Sequence, residues 1–143
     1  MRWTPYLKTL AAAAAVGTLA ALSPHAFAQM QEVMLSGANE VPAVTTTASG
    51  TASVTINADH TVTAKVVAKG MTATASHIHD AAAGANGPVI VPLVNTADNT
   101  FEAPPGSKLT DAQYESYKAG KLYVNVHSAA HPGGEIRGQL AAK

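Results

Sequence analysis

A two-residue alternation of apolar and polar side chains is the feature that most constrains the fold of this chain. Along residues 51–57 the apolar residues alternate with threonine, serine and asparagine, and the same period returns along residues 61–66. Side chains of a strand alternate between the two faces of a sheet, so each segment is predicted to be a strand with one apolar face. Valine and threonine, frequent in both, favour extended backbone. The pair is predicted to form a β-hairpin.

Similar short segments, separated by turns rich in glycine, asparagine and proline, occur along the rest of the chain. Further strands are predicted at residues 31–35, 73–80, 89–94, 99–103, 121–127 and 135–140. Pro92 indicates that the third of these is an edge or a bulged strand, because proline has no backbone N–H to donate. The last two segments are predicted to pair as a second hairpin. About eight short strands predict an all-β fold, an antiparallel β-sandwich or partly closed barrel.

One short helix is predicted over residues 109–119. Thr110 is a suitable N-cap, and Gln113 follows it at the spacing of a capping box. Tyr114 and Tyr117 lie three residues apart and therefore share one face of the helix, which we expect to pack against the sheet.

The first residues have the features of a secretory signal peptide. Arg2 and Lys8 precede an apolar, alanine-rich segment at residues 9–22. Ala26-Phe27-Ala28 is a small-x-small cleavage site. We therefore expect residues 1–28 to be removed on export and residues 29–143 to form one domain. The apolar segment is short for a membrane span, so no membrane insertion is expected after cleavage. The predicted location is periplasmic or secreted.

Cysteine content and charge exclude several classes of function. The chain has no cysteine, which rules out disulfides, thiolate metal ligands and cysteine nucleophiles. Its 9 basic and 9 acidic residues are scattered, so no basic stripe is available for binding nucleic acid. With no catalytic pair in evidence, we expect a protein that is not an enzyme.

Four histidines dominate the candidate functional residues. His77 and His79 are two apart in a predicted strand and point to the same face. His127 lies on the polar face of another predicted strand, and His131 lies in the turn that follows it. If the two strands are neighbours, all four imidazoles come within reach of one ion. The metal ligands are therefore predicted to be His77, His79, His127 and His131.

Histidines without cysteine favour Cu(II), with Zn(II) as the alternative. Three residues are candidates for orienting the imidazoles through their second ring nitrogen: Asp80, Asn125 and Glu135. His60, at the tip of the first hairpin, and His25, in the signal peptide, are not expected to take part.

A competing hypothesis is that the histidines only support the fold. They would then form hydrogen bonds across strands to Asn125, Tyr123 or backbone carbonyls, and the protein would be an adhesion or interaction domain with an exported protein as its partner.

A neighbouring pair, Glu135 and Arg137, shares a strand face and is predicted to form a structural ion pair.

Several motifs resemble those of a known family. They are LSGANEVP at residues 35–42, HIH at 77–79, GANGPVIVPL at 84–93, and LYVNVH at 122–127 followed by PGGEIRGQL at 132–140. Together they resemble the CHRD domain, named after the repeats of the developmental regulator chordin and present as a single copy in many bacterial exported proteins. The resemblance covers essentially all of residues 29–143.

The resemblance implies an antiparallel β-sandwich or partly closed Greek-key barrel, related in topology to immunoglobulin-like and Cu,Zn superoxide dismutase-like folds. Such dismutases hold copper outside the barrel with a similar arrangement of histidines, which is an analogy at the level of the fold only. A dismutase activity ranks last among the hypotheses, because the chain has no disulfide and no obvious ligands for a second metal.

Overall fold

The computed structural model describes residues 28–143, so the predicted signal peptide lies outside the described residues except for Ala28. The strands are β1 (Gln31–Ser36), β2 (Ser49–Ile56), β3 (Val62–Lys69), β4 (Ala73–Asp80), β5 (Val89–Pro92), β6 (Val94–Ala97), β7 (Thr100–Glu102), β8 (Leu122–Ser128) and β9 (Ile136–Gln139). A short 3-10 helix, Gly37–Asn39, follows β1, and one α-helix, α1 (Asp111–Lys118), precedes β8. The prediction of an all-β domain with one short helix is confirmed.

Across residues 28–143 the strands form one antiparallel sheet of nine strands, in the order β5-β4-β8-β9-β1-β2-β3-β7-β6. Both predicted hairpins are present. In the first, Ile56 pairs with Val62 next to the turn. In the second, Val126 pairs with Ile136. The alternation of side chains therefore identified the strands that pair through local turns.

The sheet is nearly closed because its two edge strands follow each other in the chain. Pro92 ends β5 and Val94 begins β6, with only Leu93 between them. The Leu93 N–H donates to the Ser76 carbonyl in β4 (3.1 Å), which continues the pairing of β5 with β4 up to the start of β6. The prediction that β5 is an edge or a bulged strand is confirmed, because it is the first strand of the sheet and its pairing with β4 contains a bulge. The strand predicted over residues 89–94 ends at Pro92, because Val94 begins β6, which pairs with β7 instead.

The apolar faces of the strands meet inside this closed sheet. The residues with the least exposed side chains include Leu35, Ala52, Val66, Ile78, Phe101, Leu122, Val124, Val126, Ile136 and Leu140. At about 25 cal/mol per Å² of apolar surface removed from water, this core is the main source of stability for a domain without disulfides.

The helix packs its tyrosine face against the core, as predicted. Thr110 Oγ1 accepts from the Gln113 N–H (3.2 Å) and the Gln113 side chain accepts from the Thr110 N–H (2.9 Å), which completes the capping box. Tyr117 is buried, and Tyr114 packs against the same cluster. Among residues 28–143, neither helix is long and apolar enough to cross a membrane.

The opposite face of β4, β8 and β9 is polar and yet largely buried. The strand register places His77, Asn125 and Arg137 side by side across the three strands. Two connections cover this row, the β1–β2 connection and the loop between β4 and β5, and they are joined where the Asn86 side chain donates to the Val41 carbonyl (2.8 Å). The fold thus builds a second, polar interior outside the sheet, and the candidate site lies there.

Candidate metal centre

Strands β4 and β8 bring three of the predicted histidines together. Antiparallel pairing aligns His77 with Asn125 and Ala75 with His127. Directly paired residues, and residues two apart along a strand, share a face, so His77, His79 and His127 all project from the polar side of the sheet. The two histidine-bearing strands are neighbours, which is the condition on which the predicted site depends.

The three imidazoles form a compact group. One ring nitrogen from each of His77, His79 and His127 lies within 4.8 Å of the corresponding atoms of the other two. His77 Nδ1 and His127 Nε2 are 3.0 Å apart. Two ligands on opposite sides of one ion are separated by about 4.1 Å when each bond is about 2.0–2.1 Å long. Side-chain shifts of less than about 1 Å would therefore allow all three to bind one ion.

Backbone carbonyls orient two of the three rings. His79 Nδ1 lies 2.9 Å from the Gly87 carbonyl oxygen, and His127 Nδ1 lies 2.9 Å from the Pro132 carbonyl oxygen. A carbonyl only accepts, so Nδ1 carries a proton in each ring and Nε2 is the nitrogen left for an ion. Metal-binding histidines in proteins are held by the same kind of contact to the second nitrogen.

Burial favours the neutral form of two of the rings. Burial lowers the pKa of the His77 imidazole, and the neighbouring His127 and His79 lower that pKa further. Burial also lowers the pKa of His79, against the opposing effect of its hydrogen bonds to Gly87 and Asn125. Neutral imidazole is the form that binds metal ions.

A model of the CHRD domain family matches residues 32–140 of the chain. The chain belongs to the CHRD domain family. No curated protein and no solved structure matches it. The match covers β2 to β9 and all of β1 except its first residue, Gln31, and confirms the family that the motifs indicated.

The remaining histidines of this CHRD domain lie elsewhere. His131 is in the β8–β9 turn, where its N–H donates to Ser128 Oγ (3.2 Å), and it is not a member of the three-histidine group. His60 stacks on Tyr114 at the helix, with ring centroids 4.2 Å apart. His25 lies outside the described residues. A ligand role for His131 therefore stays a prediction.

Of the three residues predicted to orient the histidines, Asn125 makes the expected contact. Its Oδ1 is 2.9 Å from His79 Nε2. Glu135 instead accepts from the hydroxyls of Thr46 (2.6 Å) and Ser128. In the part of the chain that the structure describes, Asp80 forms no side-chain hydrogen bond with a histidine.

Arg137 contacts the site through Tyr123, and its position differs from the prediction. Its guanidinium lies 3.4 Å over the Tyr123 ring, and that ring stacks parallel to His79 with centroids 4.7 Å apart. Arg137 also donates to the Ala85 carbonyl and to Asn86 Oδ1 (3.1 Å). The predicted ion pair between Arg137 and Glu135 is wrong, because Arg137 points to the β4–β5 loop.

The β4–β5 loop of this CHRD domain is the part of the site that sequence reasoning missed. The loop carries Gly87, whose carbonyl holds His79. A Cβ at Gly87 would lie 1.9 Å from the Asp80 carbonyl oxygen, so only glycine permits this close approach. The glycine, asparagine and proline of residues 84–88 indicated a turn, but nothing in a turn signature says which side chain its carbonyl will face.

Proposed function

We propose that this CHRD domain is an exported metal-binding module that holds one copper ion through His77, His79 and His127, in storage, delivery or tolerance of the metal. Zn(II) is the alternative ion. The observation that carries the proposal is the orientation of His79 and His127 by backbone carbonyls, which occupy Nδ1 of each ring and leave Nε2 for an ion.

The exposure of the rings supports exchange of the ion with a partner. His79 is buried, whereas His77 and His127 are half-buried at the surface. A site of this kind has one rigid ligand and an accessible side, which suits a carrier of metal better than a permanently closed structural site. The predicted signal peptide supports export to a compartment in which copper is accessible.

A second candidate function is a non-enzymatic interaction domain with structural histidines. It is favoured by the contacts that the rings make without a metal: His77 Nδ1 to His127 Nε2 at 3.0 Å and His79 Nε2 to Asn125 Oδ1 at 2.9 Å. Exposed apolar residues are available for an exported protein partner at Met30, Met34, Val89 and Val94.

Metal content decides between the two functions. The exported protein is purified, its N-terminus is read by mass spectrometry, and copper or zinc uptake is measured by elemental analysis together with the EPR spectrum of the copper form. We expect one copper per chain with splitting from imidazole nitrogen. Mass spectrometry also tests the predicted cleavage after Ala28.

The matched comparison uses two histidine variants. The double variant His77→Ala, His79→Ala is expected to lose metal uptake, while His60→Ala, remote from the group, retains it. Uptake that is equal in all three proteins, or absent from the unchanged protein, would make the histidines structural and support the interaction domain.

A further inference from the structure

We infer that Asn125 supplies the fourth ligand of the proposed metal site, through its side-chain oxygen Oδ1. This inference rests on the proposed function, since it concerns the same ion. It replaces His131, which the sequence placed in the ligand set, with a residue that the sequence indicated only as a support for a histidine.

The first observation is the distance between Asn125 Oδ1 and His79 Nε2, which is 2.9 Å. His79 Nδ1 already faces the Gly87 carbonyl, so Nε2 is the nitrogen left to bind an ion. Once Nε2 binds an ion it carries no proton, and its contact to Oδ1 is no longer a hydrogen bond. Two lone-pair atoms remain this close when both bind one cation, since neighbouring ligands are about 2.8–3.4 Å apart for bonds of about 2.0–2.1 Å.

The second observation is the environment of the Asn125 amide nitrogen. A Cβ built on Gly134 would lie 2.6 Å from Asn125 Nδ2 and 2.5 Å from Glu40 Oε1, so the amide nitrogen points to the side occupied by the Glu40 carboxylate. Glu40 Oε1 is buried and has no hydrogen-bond partner among the described residues. A flipped amide would direct its oxygen at that carboxylate oxygen. The surroundings therefore keep Oδ1 on the histidine side.

The third observation is the rigidity of Asn125. It is 2 % exposed and lies in β8, paired with His77 on one side and with Arg137 on the other. The Ser76 hydroxyl donates to its backbone carbonyl (2.8 Å). A ligand on a central strand is positioned more accurately than His131, which lies in a turn. Three imidazole nitrogens and one amide oxygen form a mixed N,O set, which is typical of tetragonal Cu(II).

The test compares copper binding by the unchanged protein with that of Asn125→Leu, Asn125→Asp and the control Asn95→Leu. Asn95 is exposed on the edge strand β6. We expect Asn125→Leu to weaken Cu(II) affinity at least about tenfold and to change the g∥ and A∥ values of the EPR spectrum, since the loss of even a supporting residue costs about 10–100-fold. Asn125→Asp is expected to bind more tightly with a shifted spectrum. Asn95→Leu is expected to match the unchanged protein.

The outcomes separate this inference from the proposed function. If the unchanged protein takes up no copper, both fail. If it binds one copper but Asn125→Leu shows the same spectrum, at equal or reduced affinity, Asn125 is at most a positioning residue and the inference is overturned. Should Asn125→Leu not fold, as judged by circular dichroism of the metal-free protein, Asn125→Asp decides: an unchanged spectrum overturns the inference and a shifted one supports it.

Discussion

His79 is held on three sides by groups that the chain supplies from different elements. Gly87 accepts from one ring nitrogen, Asn125 faces the other, and the Tyr123 ring covers one face of the imidazole. Burial disfavours the charged form of such a ring, which is the cause of its lowered pKa. For the His79 ring, therefore, contacts from the β4–β5 loop and from β8 fix its orientation, and burial favours its neutral form.

The lowered pKa values predict how stability depends on pH in the metal-free protein. The folded pKa of His77 and of His79 lies below the ordinary value of 6.5, so the unfolded chain binds protons more readily. The free energy of unfolding should fall as the pH drops below 6.5, and urea titrations at a series of pH values measure this.

The control for the pH prediction is His77→Gln, which removes one of the two groups. Its loss of stability below pH 6.5 should be smaller than that of the unchanged protein. Glu135 affects stability in a different pH range. Hydrogen bonds from Ser128 and Thr46 hold its pKa below the ordinary 4.5, so its contribution to the free energy of unfolding is lost only below that pH. Identical slopes for both proteins between pH 7 and 5 would contradict the assignment to the histidines.

Arg137→Leu is expected to destabilise the fold and to loosen the site. The variant loses two charge-assisted hydrogen bonds to the β4–β5 loop and the stacking on Tyr123. We expect a decrease of about 2–4 kcal/mol in the free energy of unfolding, measured in urea. The exposed Lys121→Ala should change it by less than about 0.5 kcal/mol. Equal stability of the two variants would show that Arg137 does not anchor the loop.

Among the elements, the strands place the histidine backbones on one face of the sheet, and the loops orient the imidazole rings. β4 and β8 place His77, His79 and His127 on one face. The β4–β5 loop and the β8–β9 turn then contribute the carbonyls of Gly87 and Pro132. Helix α1 contributes no histidine to the group, and its Tyr117 packs in the apolar core instead.

The separation of helix and site predicts that they can be perturbed independently. Thr110→Ala removes the hydroxyl that caps α1 and should lower the free energy of unfolding by about 1 kcal/mol, within the range of about 0.5–2 kcal/mol for N-caps. Copper affinity, measured by titration of the folded variant, should not change. A weakened site in Thr110→Ala would show coupling between the helix and the histidines.

Over the whole molecule, the nearly closed sheet has two buried regions: an apolar interior that it encloses and a polar interior on its outer face. The apolar interior, with residues such as Ile78 and Val124, stabilises the fold. The polar interior on the outer face contains buried Asn125 and Arg137, which lie beside the histidines across the strands. The site joins two strands and two loops, so an ion bound there links parts of the chain that are distant in sequence.

Metal binding should therefore stabilise the whole fold. At free copper about 100 times the dissociation constant, binding to the folded state alone adds about 2.7 kcal/mol to the free energy of unfolding. Thermal unfolding with and without copper measures the shift, and a chelator should reverse it. A shift of the same size in His77→Ala, His79→Ala would place the bound ion elsewhere.

The fold class, both hairpins, the helix with its cap and the two strands that carry the histidines could all be predicted from the sequence alone, because they follow from local periods and turn chemistry. Asn125 was also identified as a neighbour of the histidines, since it alternates onto the same face as His127. These features depend on residues close together in the chain, which is why a pattern of two or three residues suffices to predict them.

Three features of the structure could not be predicted from the sequence: the division of residues 89–97 into β5 and β6, the contact of Arg137 with Tyr123, and the carbonyls that orient His79 and His127. His131 also lies outside the group of three histidines. Backbone carbonyls and loop paths have no signature in side-chain type. They are set by the pairing of strands that are distant in the chain, as when β4 and β8 bring together His77 and His127, which are fifty positions apart.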